Sequence, residues 1–255
     1  MKSVKSKDGR LHIFHGDTFE AMNYLIQGGN KVDLILTDLP YGTTKCKWDS
    51  LLDFDLLWKC YHSLIKEDGI IISTARQPFT SQLIMSNIKE FKYVIIWEKS
   101  KSTNYLNSKR QPMRCYEDVV VFYKKPGTYN PIFHYGKPYD KGNTHRPTES
   151  YGEQTATHVK SEDGKRQPKD LVYFKTAEAE GQVYHPTQKP IGLLEYLVKT
   201  YSNDGDIVLD NCMGCGSTGV ASLLNDRRFV GIERDDVHFN DAKMRLSEAL
   251  KGRMI

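Results

Sequence analysis

The chain has 255 residues, 39% hydrophobic and 27% charged, with a formal net charge of +4. That suffices for one large domain with a full core or two small ones, and no stretch approaches the roughly 20 apolar residues of a membrane span. Five scattered cysteines and a first segment, "MKSVKSKDGR", without the apolar run of a secretory leader predict reduced thiols and a cytosolic protein.

Short β-branched runs recur along the chain. "LHIFHGD" (11–17) and "VDLILTD" (32–38) come first, as near-continuous apolar runs that suit strands buried on both faces. Phe54, Leu57, Trp58, Tyr61, Leu64 and Ile65 then follow helical spacing after Asp53, which serves as N-cap. "GIIISTA" (69–75), "YVIIWEK" (93–99) and "VVVFYKK" (119–125) are further strands, the last two read as an antiparallel pair joined by a long loop. That loop, Lys99 to Arg114, carries Lys99, Lys101, Lys109, Arg110 and Arg114 and no acidic residue. Residues 126–184 lack apolar periodicity and are rich in Gly, Pro, Thr, Tyr, His and Lys, the composition of an inserted recognition segment. Helical spacing returns at Ile191, Leu194, Leu197, Val198 and Tyr201; strands "DIVLDN" (206–211) and "FVGIE" (229–233) follow, then a helix from Val237 to Leu250. Alternating strands and helices predict an α/β protein with a mostly parallel, doubly wound sheet.

Two motifs carry chemistry. "DNCMGCGSTG" (210–219) contains both C-x-x-C and G-x-G-x-x-G. Cys46, Cys60 and Cys115 stand alone, so the C-x-x-C lacks the second pair that a four-ligand zinc site needs, and metal binding is not expected. The glycines follow a strand and open a helix, and the next strand ends in Glu233, whose carboxylate can accept from ribose hydroxyls. The loop alone does not separate a dinucleotide from another ribose-bearing cofactor. Its place near the C-terminus implies a permuted sheet if it begins the nucleotide-binding half.

The second motif is "DLPYG", with Asp38 delivered by the 32–38 strand. An exocyclic amino group is a poor nucleophile because its lone pair is delocalised into the ring. Acceptors on its N–H bonds free that pair: the Asp38 carboxylate is one, and the backbone carbonyl of Pro40 or Leu39 another. Tyr41 offers a face for a base to stack on.

Together these motifs resemble those of the S-adenosylmethionine-dependent amino-group DNA methyltransferases. "DLPY" is similar to their D/N/S-P-P-Y/F/W motif and "VLDNCMGCGSTG" to their D-P-F-x-G-S-G-T-T loop. "HPTQKP" (185–190) is similar to H-P-T-x-K-P, and the 97–124 stretch to a strand pair with W-x-K and R…E. The order, catalytic motif first and cofactor loop last, is that of the permuted beta class. Leu39 replaces a Pro, Asn211, Cys212 and Met213 replace Pro-Phe, and Cys215 replaces Ser.

The resemblance implies a seven-stranded methyltransferase sheet with a catalytic half at 1–125, a DNA-recognition insertion at 126–184 and a cofactor half at 185–255. It implies methylation of adenine N6 in DNA after base flipping, with Asp38, Pro40 and Tyr41 catalytic. Asp at the first position favours adenine; N4 of cytosine is the alternative. An RNA or protein-glutamine methyltransferase, a dinucleotide-dependent oxidoreductase and a non-catalytic nucleic-acid binder are the rivals. S-adenosylmethionine would meet Asp17, His185, Thr187, Asp210, Met213, Gly214, Gly216, Thr218 and Glu233. Met213 is equally readable as core, and either it or Cys212 fills the usual place of Phe. Lys99, Lys101, Lys109, Arg110 and Arg114 are expected on DNA phosphates. The implied setting is the cytoplasm of a prokaryotic or phage-infected cell, at the nucleoid, as in restriction–modification; a homodimer is compatible with the chain.

Overall fold

The computed structural model describes residues 1–42, 49–144, 152, 157–185 and 187–252; Cys46 and Pro186 lie outside them. In chain order the elements are β1 (Lys2–Lys5), β2 (Leu11–His15), α1 (Thr18–Gln27), β3 (Val32–Asp38), α2 (Phe54–Leu64), β4 (Ile65–Ala75) and α3 (Phe79–Ser86). They continue with β5 (Phe91–Thr103), β6 (Arg114–Phe122), β7 (His134–Tyr135), β8 (Tyr139–Thr144), β9 (Thr157–Ser161), β10 (Lys165–Arg166) and β11 (Leu171–Phe174). The last are α4 (Ile191–Tyr201), β12 (Ile207–Asp210), α5 (Ser217–Leu224), β13 (Arg228–Glu233) and α6 (Asp236–Leu250).

The apolar run of β3 shows how the sheet is buried on both faces. Successive side chains point to opposite sides, so Leu34 and Leu36 join one core with α4, α5 and α6, while Ile35 joins another with α1, α2 and α3. Leu57 of α2 is fully buried, and such an aliphatic side chain contributes about 2 kcal/mol. Helix starts follow from capping carboxylates. Asp17 accepts from the Phe19 and Glu20 amides, Asp53 from Leu56, and Asp235 from Val237 and His238.

Among the described residues the main sheet has nine strands in the order β1-β2-β13-β12-β3-β4-β6-β5-β11. The seven from β2 to β5 are those the sequence predicts. The central pairings β2–β13–β12–β3–β4 are all parallel, and β6 lies antiparallel between β4 and β5. The doubly wound α/β expectation therefore holds, with β1 and β11 added at the edges. The polar, four-residue β1 gave no apolar signal, and α1 and α3 also went unread.

The chain forms two compact units, Met1–Asn130 with Asp170–Ile255, and Pro131–Lys169. The second holds two antiparallel ribbons, β7 with β10 and β8 with β9. This unit lies within the 126–184 stretch. Leu171–Phe174 pairs in parallel with β5, and the Trp97 indole N–H donates to the Phe174 carbonyl at 3.0 Å, which ties that end to the main sheet.

Candidate active site

Strands β12 and β3 lie side by side in parallel, with Val208 opposite Leu34 and Leu209 opposite Ile35. From β12 the chain passes through α5 to β13 on one side; from β3 it passes through α2 to β4 on the other. The sheet order therefore reverses between them, and a crevice opens at their carboxyl ends. Each strand ends there in an aspartate, Asp210 and Asp38, and both line the same cleft. The two sequence motifs, 170 residues apart, meet at this point.

The cofactor side is built from the turn after β12. Gly214 (φ 52°) and Gly216 (φ 80°) take left-handed conformations that disfavour a side chain. A Cβ on Gly214 would meet no atom within 4 Å, and the residue lines the cleft, so glycine leaves room for a ligand against the backbone. Gly219 serves packing instead: a Cβ there would lie 2.4 Å from Leu246 and 2.5 Å from Phe229. Glu233, at the end of β13, holds the loop by accepting from the Gly214 amide at 2.9 Å and from the Arg234 and Asp235 amides at 2.8 Å. Asp17 lines the same cleft while its Oδ1 caps α1.

Asp210 is buried and accepts from the Thr37 hydroxyl at 3.0 Å and the Cys212 amide at 3.1 Å, with Thr218 also hydrogen-bonded to it. Burial pushes its carboxyl up to about 7, against the lowering effect of those bonds. His185 and Thr187 meet across the cleft rim, where His185 Nδ1 accepts from the Thr187 amide at 3.1 Å. Burial, then the neighbouring His238, pulls the His185 imidazole below its ordinary value, so it is neutral at pH 7. Gln188 went unread in the sequence; it lines the cleft and its side-chain carbonyl accepts from the Tyr184 amide at 3.0 Å.

Met213 and Cys212, the two residues expected in the usual place of Phe, are placed differently. Met213 is 4% exposed and its sulfur would be 2.3 Å from a Cβ on Gly231, so its side chain packs into the core and only borders the cleft. Cys212 is less buried and also faces the cleft. Asn211 takes the Pro position as a polar anchor. Its Oδ1 accepts from the Tyr61 hydroxyl at 2.6 Å and its Nδ2 donates to Thr18 Oγ1 at 3.0 Å. Burial pushes both the Cys212 and Cys215 thiols up. Among the described residues no three His, Cys, Asp or Glu side chains cluster as metal ligands.

The target side centres on Asp38. Its Oδ1 accepts from the Tyr41 hydroxyl at 2.8 Å and from the Thr74 hydroxyl at 2.5 Å, and its Oδ2 from the Lys189 ammonium at 2.6 Å. Lys189 is itself 3.6 Å from Glu117, whose other oxygen takes Lys99 at 3.0 Å. Burial would lower the Lys189 ammonium, but Asp38, Tyr41 and Glu117 raise it well above the lysine range. Burial would raise Glu117, but Lys189 and Lys99 hold it below its usual range. Tyr41, kept protonated by burial and by Asp38, stacks on Phe79 with centroids 5.0 Å apart and planes at 24°. One face of the ring is thereby covered. Leu39 turns into the core, which is why Leu is accepted where Pro is usual, and Pro40 lines the cleft. Thr74, Phe79, Glu117 and Lys189 were not assigned roles from sequence; only the "HPTQKP" and R…E resemblances pointed at the last two.

The basic stretch needs a correction. Lys99 is 7% exposed and paired with Glu117, so it belongs to the interior ion network and does not reach a phosphate. Lys101 is exposed but bridges to Glu178 at 3.0 Å. Lys109, Arg110 and Arg114 are exposed on the β5–β6 hairpin.

Acidic groups dominate the cleft: Asp17, Asp38, Asp49, Asp210, Glu233 and Asp235 line it against Lys189 and Arg234. That field disfavours the pyrophosphate of a dinucleotide. It suits a ligand with a sulfonium, an ammonium, ribose hydroxyls and an amino group, so the residues present fit S-adenosylmethionine.

Comparison with known proteins agrees. The family model described as "DNA methylase" matches residues 32–244. The chain is similar to the type II methyltransferase M2.MboI of Moraxella bovis, 26% identical over 271 residues, covering 96% of this chain and 90% of that protein. It is also similar to the DNA adenine methyltransferase YhdJ of Escherichia coli K12, 26% identical, covering 93% and 83%. Among solved structures, the M1.HpyAVI–SAM complex matches with a TM-score of 0.64 at 27% identity, covering 92% of this chain and 98% of that one. The PvuII cytosine-N4-specific DNA methyltransferase matches in fold, with a TM-score of 0.63 at 15% identity, covering 95% and 93%. No helix among the described residues is long and apolar enough to cross a membrane. Acidic cleft, glycine cradle and aspartate-tipped switch point thus stand in a chain that belongs to the DNA methylase family, a DNA methyltransferase whose methyl donor is S-adenosylmethionine.

Proposed function

We propose that this enzyme methylates N6 of adenine in DNA, with the target base turned out of the duplex beside Asp38. The observation that carries the reading is the Lys189 ammonium 2.6 Å from Asp38 Oδ2: the carboxylate already receives a nitrogen donor where the amino group would bind. The similarity to a relative named as a DNA adenine methyltransferase supports adenine. N4 of cytosine is the second reading, favoured by the fold shared with a cytosine-N4-specific enzyme.

Asp38 accepts one N–H of the amino group and the Pro40 or Leu39 carbonyl the other, so the nitrogen lone pair is drawn out of conjugation. Tyr41, whose ring now carries Phe79 at 5.0 Å and the Lys189 ammonium at 5.7 Å, is the stacking partner for the base once Lys189 moves aside, and positioning supplies most of the rate. S-adenosylmethionine supplies the electrophilic methyl group. Asp38 Oδ2 receives the proton that the nitrogen sheds. Gly214, Asp210, Thr218, His185 and Thr187 would hold the amino-acid end of the cofactor, Glu233 the ribose and Asp17 the adenine; Gly216, expected with them, does not line the cleft, and a Cβ there would lie 3.1 Å from Ala242 of α6. The compact Pro131–Lys169 unit is the candidate reader of bases. Incubation with labelled S-adenosylmethionine and DNA, RNA or protein, followed by digestion, should place the label in 6-methyladenine from DNA. Label in 4-methylcytosine instead would establish the second reading.

Two further outcomes follow from this assignment. Asp210, pushed up to about 7, is increasingly protonated below that pH and then offers no charge to the cofactor ammonium. Affinity for S-adenosylmethionine should fall as pH drops below about 7, by up to about tenfold per unit. Without cofactor the sign is opposite. The folded state holds the Asp210 proton that the unfolded chain releases, so this group's contribution to stability declines as pH rises from about 4 to about 7. Asp210→Asn should flatten the pH dependence of binding and raise the melting temperature at pH 7.5. Calorimetric titration across pH 5.5–8 (roughly the window of the shift) checks this, and an unchanged pH profile in the variant removes Asp210 from the cofactor site.

Lys109 and Arg110 should contribute to phosphate binding. Replacing both by alanine should reduce the slope of log affinity against log salt by about 2 on duplex DNA. A filter-binding series at several salt concentrations measures it, and an unchanged slope rejects the contact.

A further inference from the structure

The β5–β6 hairpin is rooted at the active site. Lys99 and Glu117 pair across its base, and Glu117 faces the Lys189 that holds Asp38. The ribbon then runs outward, past an irregularity, to a last pair of Thr103 with Arg114. Four residues of strand beyond Lys99 span about 13 Å, more than the roughly 8.5 Å depth of the DNA major groove.

Its tip is built, with the exposed side chains held out. Asn104 takes a left-handed conformation (φ 71°), and Tyr105–Asn107 form a 3₁₀ turn. The Asn107 amide nitrogen donates to Asn104 Oδ1 at 2.7 Å, and backbone N–H groups of Asn107, Ser108, Arg110 and Gln111 close successive turns at 2.9–3.1 Å. This scaffold presents Leu106 at 97% exposure and Tyr105 at 74%. A single exposed apolar residue is ordinary. Here two adjoin on a hydrogen-bonded tip, flanked by Lys109, Arg110 and Arg114, in a stretch without one acidic residue. The cations complement phosphates, and the apolar tip has no use for them.

We propose that this tip is a wedge: Leu106, backed by Tyr105, enters duplex DNA and fills the place in the stack that the target base leaves. The proposal rests on the reading of this protein as an enzyme that acts on a base turned out of DNA. Opening a base step costs a few kcal/mol, and apolar side chains inserted between bases offset that cost. The basic residues draw the duplex onto the hairpin, the wedge holds the gap open, and Asp38 at the hairpin root receives the base.

The test compares wild type and Leu106→Ala on oligonucleotides carrying the adenine that the enzyme methylates most on plasmid DNA. That adenine is paired with thymine in one duplex and placed opposite an abasic site in the other. Leu106→Ala should lose roughly tenfold or more in rate on the paired duplex. It should recover to within about twofold of wild type where no partner base resists extrusion. Fluorescence of 2-aminopurine at the target position should rise on binding wild type and stay low with the variant, while affinity for S-adenosylmethionine is unchanged. Equal rates on the paired duplex, or an equal loss on both duplexes, overturns the wedge. If wild type itself methylates neither duplex nor plasmid, the DNA reading fails, and that outcome is distinct from a wild-type enzyme indifferent to Leu106.

Discussion

Asp38→Ala is expected to lower the rate of methyl transfer by at least about 10³-fold, the scale of removing a preorganised group aimed at the reacting centre. The carboxylate receives three donors, Tyr41, Thr74 and Lys189, so its position is fixed before a substrate arrives. Alanine removes the acceptor for the target amino group and leaves the glycine turn and Glu233 in place. Affinity for S-adenosylmethionine should therefore stay within about threefold of wild type, a change under 1 kcal/mol. Single-turnover kinetics and calorimetry separate the two quantities. Transfer within tenfold of wild type in the variant would take Asp38 out of the chemistry.

Lys189→Met should have the second largest effect, and on stability as well as rate. Lys189 is 9% exposed and lies between two carboxylates, 2.6 Å from Asp38 and 3.6 Å from Glu117. Removing it leaves like charges facing each other in a half-buried site. Breaking a buried pair in this way costs about 3 kcal/mol or more. A proton is then the cheapest replacement for the missing cation, so one carboxylate should titrate at higher pH than in wild type. The acidic limb of the rate–pH profile should move to higher pH, and Lys189→Arg should restore much of the stability. An unmoved limb would mean that Lys189 does not hold down a carboxylate, such as Glu117, on which the rate depends. On the proposed reading the same ammonium stands where the target amino group would bind, so base entry would require it to give way. Glu117 Oε2, buried and without a hydrogen-bond partner among the described residues, is the acceptor nearest to take it.

The sheet was legible because its strands are short apolar runs buried on both faces, and the switch point because each motif sits just after one of them. β1 and β11 were not: "KSVK" is polar, and "LVYF" is a four-residue apolar run isolated in a polar stretch. Asp38, Pro40 and Tyr41 could be named as candidates because the chemistry of an amino nucleophile asks for an acceptor and a stacking ring in sequence, and all three line the cleft. Lys189 and Glu117 could not be given roles, since their meeting with Asp38 depends on three separate elements converging. Lys99 was misread for the opposite reason. In sequence it is one of five basic residues in a row of polar ones, and only the register of β5 on β6, which sets its ammonium 3.0 Å from Glu117, shows it facing inward. Met213 shows the limit of matching positions in a motif: it occupies the place of Phe in the chain, but its sulfur lies against Gly231 in the core.

A structure with duplex DNA and an unreactive analogue of S-adenosylmethionine tests the central claim most directly. The account predicts an extrahelical adenine against the Tyr41 ring, its exocyclic nitrogen about 3 Å from Asp38 Oδ2, and Lys189 moved onto Glu117. An ammonium still on Asp38, with the target base stacked in the duplex or bound elsewhere, would contradict it.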